Sequence, residues 1–209
     1  MTAPADSARE DLAFLRQLVD EDDGGRSLWI FGASYLAIGL AIIAQVVALW
    51  IIAADLVPAP EWAPLAAIVA VWTVYTFAQQ WIAGRARGVK PGANVRSRVG
   101  GAALYSMALP HVTMVAVFAM TAWRQQDGIF LQQAALVFFA LQGGMWFIIH
   151  ALRRERWHLL EAIAWLLATL AAAPFLGTDT FGPVIAIVAL ALMVAPGIYM
   201  LRVARRSVQ

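Results

Sequence analysis

The one ionisable side chain that falls midway along an apolar run of this sequence is His111. A titratable group at that depth in a membrane is costly enough to be a functional candidate by default. An imidazole there is suited to accept a proton or to bond a ligand. Pro110 beside it removes a backbone hydrogen bond, and Thr113 is placed to compensate for that loss. Counting from the ends of neighbouring apolar runs puts Gln142 and Thr73 at similar depth, with Gln45 somewhat outward. His111, Gln142, Thr73, Thr113 and Gln45 therefore form a candidate ligand-binding pocket. The same side chains also serve as hydrogen-bonded links between membrane helices, and the sequence leaves both uses open.

A second constellation stands at a membrane edge. His150 closes one apolar run, and His158 and Glu161, three residues apart, share a face at the start of the next. The turn from Arg153 to Arg156 brings the two imidazoles to similar depth. Two imidazoles and a carboxylate are a zinc-type ligand set. No HExxH spacing accompanies them, and arginines are at hand to pair with Glu161, so a salt-bridged interfacial cluster is the favoured reading and no metal is assigned. Haem would need a second imidazole at the depth of His111, which is lacking. The chain has no cysteine, which removes disulfides and thiolate chemistry. It has no GxSG-type serine site and no acidic cluster within its apolar runs. Enzymatic activity is disfavoured, and no cofactor is indicated. Gly143 and Gly144, next to Gln142, allow close approach of another helix or a ligand.

These residues must be positioned by membrane-spanning helices. Of 209 residues, 62% are hydrophobic and 13% charged, too little charge to cover a water-soluble surface. Six stretches reach the roughly 20 apolar residues that a spanning helix requires. They run over about 27–54, 62–82, 99–123, 129–152, 157–176 and 181–203. The first is too long, and its flank too acidic, for a signal peptide. The expected fold is an all-α polytopic membrane protein, a bundle of six transmembrane helices preceded by a short cytosolic amphipathic helix.

Charge sets the orientation, because Lys and Arg beside spanning helices stay cytosolic. Fourteen of the fifteen basic residues fall on one side, in the N-terminal segment, the second and fourth connections and the C-terminal end. The other side has Arg124 with Asp55, Glu61, Asp127 and Asp179. Both termini are thus expected in the cytosol, and the basic balance needs no nucleic acid. Trp29, Trp81 and Trp157 fall at cytosolic ends and Trp50, Trp62 and Trp123 at outer ends, the headgroup level that indole rings prefer. Trp72, Trp146 and Trp165 lie deeper and read as packing residues.

Three parts follow: an acidic cytosolic segment 1–26, the membrane domain 27–203 and a basic tail 204–209. In the first, Ser7 and Glu10 match a capping box, and Leu12, Leu15 and Val19 share one face of a helix that Gly24 and Gly25 end. Lipid-binding helices are usually basic, whereas this segment carries seven acids, Asp22 and Asp23 among them, against three arginines. Its expected dock is protein, reached through Leu12, Leu15, Val19, Asp22 and Asp23. That protein is the chain's own basic loops, a second copy or a partner; the competing reading is a solvated leader. The connection 83–98, with five basic residues and no acid, reads as an irregular loop that determines topology.

Ala33, Ala37 and Ala41, spaced by four on the first helix, together with six helices in about 200 residues, resemble in topology the substrate-binding subunits of energy-coupling-factor vitamin transporters. The resemblance implies a helix-one surface that docks a transport partner. Small residues at this spacing also serve ordinary helix packing. Two functions are consistent with these readings: a non-enzymatic membrane subunit or regulator acting through its N-terminal helix and basic loops, and a small-molecule binding or transport component with its site around His111.

Overall fold

The structure is a computed structural model that describes residues 25–86, 113–125 and 127–206. The amphipathic segment before Gly25, the basic loop 87–98, Pro110 and His111, and the last three residues lie outside the described residues. Within them the chain is helical throughout, with no strand. Helix α1 is Arg26–Ala53 and α2 is Ala63–Ala86. Residues 113–125 form α3. Helix α4 is Ile129–Arg153 and α5 is Arg156–Ala172, extended by a 3₁₀ turn over Ala173–Phe175. Helix α6 runs over Phe181–Arg206, interrupted by one π-helical stretch at Leu190–Val194. Five of these helices, all but α3, are long and apolar enough to cross a membrane. The described part is that of a protein compatible with multiple membrane passes.

Local sequence explains where the helices start and stop. Gly25 precedes α1 with φ 77°, a left-handed conformation that glycine adopts without a Cβ penalty. Asp127 accepts the backbone N–H of Ile129 at 2.9 Å, satisfying a free donor at the start of α4. Arg154, at φ 57°, ends α4, and its N–H returns to the His150 carbonyl. Two residues then suffice to reverse the chain into α5. In α6 the π stretch immediately precedes Pro196, whose ring would otherwise press on the carbonyl one turn back and which has no N–H to give.

Helix α1 is the centre of the arrangement, with α2 on one side and α6 along another, while α4 and α5 form an antiparallel hairpin. The α1–α6 crossing is close because it is made of glycines. A Cβ on Gly32 would stand 2.8 Å from Met200 Cβ, and one on Gly39 2.7 Å from Met193 Cβ. From α6, a Cβ on Gly197 would stand 2.9 Å from the Leu36 backbone nitrogen. Small residues at such interfaces let backbones approach, which supplies the van der Waals contact that holds helices together where lipid is as apolar as protein. Ala33 and Ala37 are partly covered and Ala41 is buried, while the close approaches to α6 are at the two glycines. At Gly143 an added Cβ would meet Leu166 and the Ala162 carbonyl, whereas Gly144 faces open space.

Candidate functional site

Where α1, α4 and α5 meet, the core is aromatic and polar. On α4, Phe139, Gln142 and Trp146 recur at helical spacing on one face; on α5, His158, Glu161, Ala162 and Trp165 do the same. The antiparallel hairpin brings these faces together in register. Phe139 meets Trp165 with ring centroids 5.1 Å apart, and Trp146 stacks on His158 at 5.6 Å. Trp146 and Trp165 are completely buried, and so is His158 to within 1%.

Tyr35 of α1 joins the two helices. Its hydroxyl oxygen accepts the indole N–H of Trp146 at 2.9 Å and that of Trp165 at 3.2 Å. An indole N–H only donates, and a phenol oxygen can accept both. Burying either donor unmet costs about 1–3 kcal/mol, so one hydroxyl resolves two such penalties. Phe31 stacks on Tyr35 at 5.8 Å and meets the edge of Trp146 at 5.7 Å, which fixes the ring that carries this hydroxyl.

Two polar side chains complete the cluster. Gln142 is 7% exposed, and its Oε1 is buried with no hydrogen-bond partner. Glu161 is half-buried beside Tyr35 and Trp165, and its Oε1 is likewise buried without a partner.

The histidines of the membrane edge lie beside Glu155, one at its backbone carbonyl and one at its carboxylate. His150 Nδ1 lies 3.0 Å from the Glu155 carbonyl oxygen, and His158 Nδ1 lies 3.6 Å from Glu155 Oε2. The same Oε2 accepts the Trp157 indole N–H at 2.7 Å. Glu155, in the two-residue turn, therefore organises this edge, while Glu161 faces the Tyr35 cluster. Among the described residues no three His, Asp or Glu side chains gather as a metal ion would require.

Of the pocket expected around His111, the described residues include Gln45, Thr73, Thr113 and Gln142. Gln45 Oε1 accepts the Trp72 indole N–H at 2.7 Å, joining α1 to α2. Thr73 and Thr113 are exposed on the outside of the helices. Among the described members of the set Gln142 alone is buried, on the α4 face that carries Phe139 and Trp146. His111 and the N-terminal contacts Leu12, Leu15, Val19, Asp22 and Asp23 lie outside the described residues. Trp146 and Trp165 are packing residues as expected, but they also donate to Tyr35; Trp72 is partly exposed and bonded to Gln45. Tyr35 was the residue the sequence analysis missed. The available signal was chemical: a tyrosine within an apolar helix has a hydroxyl to satisfy, as do two deep indoles.

The site and fold define an all-helical chain of the kind that crosses membranes several times, with a hydrogen-bonded aromatic core. Compared with known protein families, curated proteins and solved structures, the chain matches none.

Proposed function

We propose that this chain is a six-helix protein of the inner cell membrane with both termini in the cytosol, working as a non-enzymatic membrane subunit or regulator. In this reading the third span is completed by the apolar run that begins near Val99, and the acidic N-terminal helix and basic loops make the functional contacts. The observation that carries it is how the polar side chains of the described helices are used. Gln45 bonds Trp72, Ser34 donates to Gln79 at 3.1 Å, and Tyr35 serves two indoles, so each links one helix to another. Helix assembly thus accounts for these links, whereas nothing in membrane packing calls for an amphipathic sequence with seven acids ahead of the first span.

The test is purification in mild detergent followed by native mass spectrometry of the full chain and of a variant lacking residues 1–23. A protein partner or second copy that is retained by the full chain and lost from the deletion is the expected result. A bare chain carrying only lipid in both samples overturns the proposal. A retained metabolite that disappears in His111→Ala gives the function instead to a small-molecule binding or transport component.

A further inference from the structure

Tyr35, Gln142 and Glu161 stand at one level of the bundle on three helices. The level follows from register. Trp146 pairs with His158 toward the basic end of the hairpin and Phe139 pairs with Trp165 away from it. Gln142 lies between the first members of these pairs and Glu161 between the second, and a Cβ on Gly143 would touch the Ala162 carbonyl at 3.2 Å. The Tyr35 oxygen, bonded to Trp146 and Trp165 together, falls between the same two levels.

The hydrogen-bond inventory at this level does not close. The Trp146 indole N–H goes to the Tyr35 oxygen, and that of Trp165 is shared between this oxygen and the Glu161 carboxyl group. Gln142 Oε1 and Glu161 Oε1 are each buried and without a partner, so the tyrosine's single hydrogen is bonded to neither. Unmet acceptors in a low-dielectric core are unfavourable, and a charged carboxylate there is more so. One added hydrogen removes both problems.

We propose that Glu161 is a proton-binding site within the bundle, its neutral carboxyl donating to Gln142 Oε1. The proton is bound and released as such, with no other bond made or broken. Among the described residues, the titratable and charged groups around it are few. Tyr35 faces it from α1, and His158 precedes it by one turn on α5, with Glu155 behind. On α4 the nearest is His150, held to the Glu155 carbonyl two turns from Gln142. On α6, Tyr199 and Arg202 are exposed on the outside. Glu161 stands five residues into α5, about 7–8 Å along the axis from the first helical residue, close enough to the basic end to exchange its proton with water.

Infrared spectroscopy of the full chain in lipid nanodiscs at neutral pH tests this. The expected spectrum contains the carbonyl stretch of a protonated carboxylic acid. That band should disappear in Glu161→Gln, which keeps shape and supplies an amide hydrogen, and shift to higher frequency in Gln142→Met, which removes the acceptor. Should Glu161→Gln fail to fold, wild-type chain grown with ¹³C-labelled glutamate supplies the assignment, because the band must move with the label and respond to Gln142→Met. The absence of an acid band at neutral pH overturns the proposal, as it would mean a charged carboxylate met by the opposite face of the Gln142 amide. A band that survives in Glu161→Gln overturns it too. So does a band lost when sodium is added at constant pH, which would make the occupant a metal cation.

Discussion

Replacing Gly197 by alanine adds one methyl group where α6 crosses α1, and the structure fixes what it meets. The new Cβ would stand 2.9 Å from the Leu36 backbone nitrogen, 3.0 Å from Leu36 Cβ and 3.1 Å from the Gly32 carbonyl oxygen. Two of these three atoms belong to the backbone of α1, so no side-chain rotation relieves the contact. The helices must part by roughly half an ångström to restore ordinary contact distances. That separation loosens the neighbouring contacts of Gly32 with Met200 and of Gly39 with Met193 as well. Overpacking of this kind costs about 1–3 kcal/mol, and a backbone-limited clash belongs at the upper end. Alanine returns up to about 1 kcal/mol through its better helix propensity, which leaves a net loss near 2 kcal/mol. For a chain of this length that corresponds to a fall of about 4–8 °C in melting temperature. The assay is thermal unfolding in one detergent, read by tryptophan fluorescence and by loss of the monodisperse peak on size exclusion. Gly144→Ala is the matched control, because nothing among the described residues lies within 4 Å of its added Cβ. If Gly197→Ala and Gly144→Ala melt together, the close α1–α6 crossing described above is refuted.

Tyr35→Phe removes one oxygen and leaves the buried indole N–H groups of Trp146 and Trp165 without their acceptor. At about 1–3 kcal/mol for each unmet donor, it should lower the melting temperature more than Gly197→Ala does, and an unchanged melt would remove the joining role of this hydroxyl. The topology has its own measurement. The chain has no cysteine, so single cysteines at Asp55 and Gly92 should react with a membrane-impermeant reagent from opposite sides of sealed vesicles; labelling from the same side would end the six-helix topology.

The placement of five long helices was legible because it rests on a one-dimensional quantity, the length of an apolar run against the thickness of a bilayer. Five of the expected stretches reappear as spanning-length helices within a few residues of their expected bounds. The edges were readable for the same local reason, as at Gly25 and at the Arg153–Arg156 turn. Direction around each helix was not. A membrane helix is apolar toward lipid and toward protein alike, so the hydrophobic pattern does not say which face is inside. Depth counting grouped Thr73 and Thr113 with Gln142; among the described residues the two threonines are exposed and Gln142 is buried. It grouped the edge histidines with Glu161 by spacing along α5, whereas the residue beside them is Glu155, in the turn, its backbone carbonyl near His150 and its carboxylate near His158. Spacing drew attention to Ala33, Ala37 and Ala41, while Gly32 and Gly39, on an adjoining face, make the close contact with α6. Composition, run length and charge side were thus determined by the sequence itself. Which oxygen two buried indoles share, and where a carboxyl and an amide stand without partners, was decided only when α1 was laid against the α4–α5 hairpin, because those facts depend on side chains more than a hundred residues apart meeting at one depth.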